Sequence, residues 1–187
     1  MLRGQWLIPD LVDKLAALQR RWDAPSMMTE FGASSSPLNV TEPTRLADER
    51  LVSWLHWHHP TGGGVDPPEV VQSQLVRTYA QATAGRPLAQ RFDPSTGAFS
   101  FRYAPDHTVA APTSIVVPAA HYPTGYVAQV SGGHVTSAPN SGRLTVVADP
   151  GSTPGVGPLE GSLAAGDLDG DADLDFLTIS GAEVVEF

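Results

Sequence analysis

The sequence predicts an α/β segment on a parallel sheet, then an antiparallel β-sandwich, then an acidic tail. Three observations predict it. Residues 1–85 read as helix, strand, helix, strand, helix, the alternation of βα units on a parallel sheet. Beyond Gly85 the apolar spacing shortens to two, and Pro94-Ser95-Thr96-Gly97, Gly132-Gly133 and Asn140-Ser141-Gly142 punctuate short runs, as in a small sandwich over 86–150. Residues 151–162, rich in Gly and Pro, read as a linker, and 163–187 as a tail.

Each element has its own signal. Pro9-Asp10 precedes Leu11, Val12, Leu15, Leu18 and Trp22 at helical spacing, with Arg20 and Arg21 near the end. Asp23-Ala24-Pro25 is an exit loop, and 26–30 reads as a buried strand. After a Ser, Pro and Asn-rich loop, Thr41 and Thr44 are candidate caps for a helix from Glu42 to Asp48 or Glu49. Leu51–Trp57 is the next strand, and Pro60–Gly64 a flexible loop. Pro67-Pro68 opens a helix expected to carry Val70, Val71, Leu75, Val76 and Tyr79 and to end near Gly85. In the second half, Ala98–Tyr103, Ser114–Val117, Tyr126–Val130 and Arg143–Val147 are strand-like.

Composition narrows the function. Cysteine is absent, so disulfides and thiolate chemistry are excluded and the compartment stays open. The net charge of −9 arises in the tail, since residues 167–187 hold seven acids and no Lys or Arg. No basic patch exists to neutralise phosphates, which argues against nucleic acid as a partner. Met1–Trp6 does not begin a signal peptide, because the apolar stretch is soon broken by Pro9, Asp10, Asp13 and Lys14. No run approaches the length of a membrane span.

The candidate chemistry lies in residues 27–57. Met27-Met28-Thr29-Glu30-Phe31-Gly32 ends an apolar run with one carboxylate and a glycine, and Leu51–Trp57 ends a second run with an aromatic. A carboxylate and a tryptophan at the carboxyl ends of successive parallel strands is how (β/α)8 barrels build sugar-cleaving sites. Retaining hydrolysis needs two carboxylates about 5 Å apart, one as nucleophile and one as acid/base. A strand-end glutamate is held rigidly, and the following glycine lets the chain turn sharply away. A strand-end tryptophan offers a flat face for a pyranose ring. His56 and His58 would share a strand face near Trp57, where a polar site mouth could bond sugar hydroxyls; with no third ligand nearby, a metal reading is disfavoured.

A second constellation is Asp167, Asp169, Asp171, Asp173 and Asp175. Carboxylates at relative positions 1, 3, 5 and 9 can wrap a hard cation. An EF-hand would need Gly at position 6 and Glu at position 12, where Ala172 and Thr178 stand. The run, followed by Phe176–Ile179, resembles one calcium loop of FG-GAP/VCBS-type repeats, with Ala172 in a place those loops usually give to glycine. Ca2+ is the one ion implied, and none is needed for catalysis. His121, Tyr122, Tyr126 and His134 are read as packing or docking residues of the sandwich.

Taken together, Thr29-Glu30-Phe31-Gly32, Trp54-x-x-Trp57, Arg77-Thr78-Tyr79 with Ala84-Gly85, and Phe92-Asp93-Pro94-Ser95-Thr96-Gly97-Ala98-Phe99-Ser100-Phe101 occur in order. This resembles the end of a glycoside hydrolase family 5 enzyme, closest to its endoglycoceramidase-like branch, over about residues 5–150. The resemblance implies the last βα units of a (β/α)8 barrel over 1–85 and a C-terminal β-sandwich. It makes Glu30 the nucleophile and Trp57 the sugar platform, and leaves Trp54 to packing. The implied substrates are glycosphingolipids or related β-glycosides, with a lipid surface as a further contact. The family's acid/base glutamate follows an asparagine, and no Asn-Glu occurs here. Two strands cannot close a barrel, so the chain is expected to lack a partner barrel half and to be inactive alone. The reading from a different class is a noncatalytic sandwich and calcium-loop module used for attachment.

Two measurements check these expectations. Titration calorimetry should give saturable calcium heat at or below the millimolar range; absence of heat removes the metal reading. The purified chain should bind a hydrophobic dye through its unpartnered sheet face, whereas a clean monomer with low dye binding would contradict that.

Overall fold

The computed structural model describes residues 7–32, 37–57, 69–150, 161–165, 178–180 and 183–185. The chain divides into two compact units, Met1–Val76 and Arg77–Phe187.

The first unit alternates helix and strand: α1 (Leu7–Trp22), β1 (Met27–Met28), α2 (Leu38–Arg50), β2 (Ser53–Trp54) and α3 (Glu69–Leu75). The two strands are parallel, with Met27 opposite Ser53 and Met28 opposite Trp54. Helical spacing on α1 brings Val12 and Ala16 to a core shared with Met28, Phe31, Val40, Leu46, Ala47, Val52 and Val71. Gln19 Nε2 donates to the Arg50 carbonyl at 3.1 Å, and Arg50 pairs with Asp13 at 2.8 Å, tying α1 to the end of α2.

Helix α2 corrects one expectation. It begins at Leu38, four residues before Glu42, with Pro37 in the cap position and no side-chain cap. The Thr41 and Thr44 hydroxyls therefore do not cap. They donate back to the carbonyls of Pro37 at 3.0 Å and Val40 at 2.9 Å, the bond a threonine makes inside a helix. Pro43 lies within the helix, where it removes one hydrogen bond at a cost of about 3 kcal/mol in an exposed setting. Here its ring is fully buried, and that burial offsets the loss. Leu51 ends α2 in the left-handed conformation, φ 55°, and the Val52 amide returns to the Ala47 carbonyl at 2.9 Å.

A second correction concerns the helix expected to reach Gly85. It stops at Leu75, and Tyr79–Ala82 is a strand, β3. Burial decides this. Arg77 and Thr78 are 4% and 2% exposed. The Arg77 guanidinium lies 5.1 Å over the Phe92 ring and donates to the Phe92 carbonyl, while the Thr78 hydroxyl meets Tyr122 Oη at 2.9 Å. These bonds need an extended backbone, and the ladder to Thr113–Val116 supplies its partners.

The second unit is a sandwich of two four-stranded sheets, ordered β4-β5-β10-β7 and β3-β6-β9-β8. Its strands are β4 (Gly85–Phe92), β5 (Phe99–Pro105), β6 (Thr113–Val116), β7 (Gln129–Ser131), β8 (Gly133–Val135), β9 (Arg143–Ala148) and β10 (Gly161–Ala165). Alternation on β5 sends Phe99, Phe101 and Tyr103 inward and Ser100 and Arg102 outward. These meet Phe92, Ile115, Val117, Tyr122, Leu144 and Val146 in one core. Strand β4 has no clear period because Pro87 interrupts it; the ladder to β5 shifts register between Pro87 and Ala89, where a proline is tolerated. The run expected from Tyr126 contributes only Gln129–Ser131. Gly161–Ala165, read as linker and tail, instead pairs antiparallel with both β5 and β7. Thr178–Ser180 (β11) and Glu183–Val185 (β12) pair antiparallel in a separate two-stranded sheet.

The Phe92–Phe101 run is a hairpin whose residues have definite tasks. Asp93 accepts from the Ser95 amide and hydroxyl at 2.9 and 2.6 Å, and these bonds hold its carboxyl below the usual range. Gly97 takes φ 73°, and its amide returns to the Asp93 carbonyl at 2.8 Å. Tyr122 Oη donates to the Gly97 carbonyl at 2.7 Å. The Tyr103 hydroxyl, by contrast, is buried without a partner.

The two tyrosines should separate in urea melts followed by tyrosine circular dichroism. Tyr122→Phe leaves Gly97 and Thr78 unpaired and should cost about 1–3 kcal/mol, whereas Tyr103→Phe should cost nothing or stabilise. Burial raises the Tyr122 and Tyr126 hydroxyls above their ordinary value of 10.0. A raised folded-state value favours the neutral form, so this stability is whole below pH 10 and lost as pH climbs through the raised values. Tyr122→Phe should flatten that alkaline loss.

Candidate active site

The candidate site is built on the parallel pair β1–β2. The ladder begins regularly, as the Ser53 amide donates to the Ser26 carbonyl at 3.2 Å and the Leu55 amide to Met28 at 2.8 Å. Each step there advances two residues on both strands. The next bond breaks the rule: the Trp57 amide donates to Phe31 at 2.9 Å. From Leu55 to Trp57 is two residues, but from Met28 to Phe31 is three. Thr29 and Glu30 therefore stand opposite the single residue Leu55, which makes a one-residue β-bulge.

The bulge sets which way Glu30 points. Met28 is 3% exposed and faces the helices, while Met27 is 48% exposed. In a regular strand Glu30 would share the face of Met28. The extra residue reverses the phase, so Glu30 is exposed and Phe31, 8% exposed, turns into the core. On β2, Val52 is buried, Trp54 packs on the core, and Leu55 and Trp57 are 54% and 49% exposed. The strands themselves stop at Met28 and Trp54, short of the expected 26–30 and 51–57, and Glu30 and Trp57 lie exposed just past their carboxyl ends.

Behind that face the chain is clamped. The Phe31 ring makes edge contacts with Trp54 at 5.4 Å and His56 at 5.6 Å. Gly32 follows with φ 82°, a conformation costly to any residue with a Cβ. A Cβ there would also lie 2.7 Å from His56 Cδ2 and 3.3 Å from Val40 Cγ2. His56 accordingly sits on the packed face, opposite Trp57, with its Nε2 buried and unpartnered.

Of the residues singled out from sequence, Glu30 and Trp57 are both exposed, whereas His56 is turned to the packed side. His58 and Asp167, Asp169, Asp171, Asp173 and Asp175 lie outside the described residues. The bulge went unread, and its only trace in the sequence is the Phe-Gly pair after the glutamate. Chemically, the face presents one solvated carboxylate beside apolar and aromatic surface. That suits attack on an electrophilic carbon whose ring can stack on an indole, with proton transfer left to another group.

Residues 77–157 match the glycoside hydrolase family 5 C-terminal domain, and the match begins where the second unit begins. The chain is 45% identical over 139 residues to endoglycoceramidase I of Rhodococcus hoagii, which covers 74% of this chain and 28% of that protein. It therefore spans well under a third of that relative. Endo-glycoceramidase II from Rhodococcus sp., solved as a lactosyl-enzyme intermediate, superimposes with a TM-score of 0.63 at 22% identity, over 84% of this chain and 36% of that one. The same enzyme has been solved as a ganglioside GM3 complex, TM-score 0.64 at 21% identity, over 84% of this chain and 35% of that one. Sterylglucosidase 1 of Cryptococcus neoformans shares the fold at a TM-score of 0.64 and 14% identity, over 86% of this chain and 32% of that one. Residues 77–157 thus carry the glycoside hydrolase family 5 C-terminal domain, and the chain resembles the C-terminal part of endoglycoceramidase-like enzymes.

Proposed function

We propose that this chain supplies the nucleophile side of a retaining β-glycosidase site acting on glycosphingolipids or related β-glycosides. Residues up to Val76 are then the last βα units of a (β/α)8 barrel whose other units lie outside this chain. One observation supports the reading: the bulge leaves Glu30 exposed rather than buried with Met28, in a chain 45% identical over 139 residues to an endoglycoceramidase.

In this mechanism a Glu30 carboxylate oxygen attacks the anomeric carbon as the bond to the aglycone oxygen breaks. A carboxylic acid outside this chain protonates the leaving oxygen. The resulting glycosyl ester is then attacked by water, which the same outside carboxylate deprotonates, and Glu30 is released. The Trp57 indole stacks on the sugar ring. A lactosyl-enzyme and a ganglioside GM3 complex in endo-glycoceramidase II support the covalent step and the substrate class. The five tail aspartates, 167 to 175, hold Ca2+, which takes no part in the chemistry. Alone, the chain has no acid to protonate the leaving oxygen, and does not turn over.

The test is complementation. Co-production with a polypeptide carrying the first six βα units of an endoglycoceramidase should restore hydrolysis of GM3 or an aryl lactoside. Glu30→Gln should then lower kcat by at least about a thousandfold, and Trp57→Ala should weaken kcat/KM by about ten- to a hundredfold. Turnover by the chain alone, or full activity in Glu30→Gln, would sink the reading.

A further inference from the structure

We infer that His56 is a positioning residue: its imidazole wedges the Phe31–Gly32 turn and so holds the bulge that aims Glu30. The inference rests on the proposed role of Glu30, but the wedge itself is a statement about strand register. Continuing the ladder from the Trp57–Phe31 bond places His56 directly opposite Phe31. The two rings meet edge to face at 5.6 Å with planes 80° apart. The other edge of the imidazole lies over the Gly32 backbone, since a Cβ built there would come within 2.7 Å of Cδ2 and 2.9 Å of Nε2. Val40 Cγ2 bounds the same space, 3.3 Å from where that Cβ would stand. Because Nε2 is buried and makes no hydrogen bond, what the ring gives the turn is shape.

A wedge is needed because β1 has two ways to pair. The bulged ladder bonds the Trp57 amide to Phe31. The regular ladder would bond it to Glu30, put Phe31 on the open face and turn Glu30 toward the core, since a slip of one residue exchanges the faces of a strand. The regular form would bury a carboxylate and expose a phenyl ring, both unfavourable. The His56 ring adds a local preference at the point where the two forms diverge. It fits a glycine in the left-handed conformation and a phenylalanine turned inward, the two residues the bulged form presents to it.

Amide hydrogen exchange on the full chain tests this directly. The Ser53 and Leu55 amides report the regular part of the ladder and the Trp57 amide reports the bulge. In His56→Ala, exchange at Trp57 should rise by about tenfold or more while Ser53 and Leu55 stay within about twofold. His56→Phe keeps a flat ring and should hold Trp57 near wild type. Gly32→Ala, which forces a methyl against the ring, should repeat the selective loss. Unchanged Trp57 exchange in His56→Ala, equal loss in His56→Phe, or loss at all three amides in both His56→Ala and Gly32→Ala would overturn the wedge. In the complemented enzyme, His56→Ala should lower kcat by about ten- to a hundredfold with KM within about twofold, and His56→Phe should restore it. If Glu30→Gln stays active, the functional reading falls while the exchange result still judges the wedge.

Discussion

One backbone hydrogen bond organises the candidate site: the Trp57 amide to the Phe31 carbonyl at 2.9 Å. It closes the parallel ladder one residue out of step and makes Thr29 and Glu30 share a single partner. Everything distinctive about the site follows from that offset. Phe31 enters the core between Trp54 and His56, Gly32 takes the turn, and Glu30 leaves the packed face. A carboxylate that regular alternation would bury is thereby exposed. The energetic sense is simple, because burying a lone carboxylate costs far more than adding a residue to a strand.

The two units meet their structural needs differently. The sandwich has two full sheets, an aromatic core and buried polar groups that are mostly paired, such as Thr78, Tyr122 and the Gly97 carbonyl. The first unit has a two-stranded parallel sheet with helices packed on one side, and it exposes Met27, Leu55 and Trp57 on the other. Parallel sheets are stable when both faces are covered. The uncovered face is also the one that carries Glu30, which is why the proposed catalytic role calls for further βα units.

Much of this was legible from residue order. Helical spacing from Leu11 to Trp22 gave α1, and the inward series Phe99, Phe101, Tyr103 with Leu144 and Val146 gave the core of the sandwich. Where the reading failed, a tertiary partner had overruled a local signal. Tyr79 continued a helical pattern, yet the burial of Arg77 on Phe92 and of Thr78 on Tyr122 drew that stretch into a sheet. Thr41 and Thr44 looked like caps, but the helix had begun earlier and they bond inward. Strand β4 was hidden by Pro87, and β10 by glycine, serine and alanine, which carry no period.

What the sequence by itself determined is chemistry and order: which residue types are present, which stretches are helical or extended, and that one glutamate and one tryptophan close consecutive strands. What only the tertiary structure decided is direction. Whether Glu30 faces helices or solvent depends on a single extra residue in a ladder, and whether His56 lines the site or braces it depends on the phase of the partner strand. Side-chain periodicity is a property of one strand, whereas register belongs to two strands together, and no local pattern in either records it.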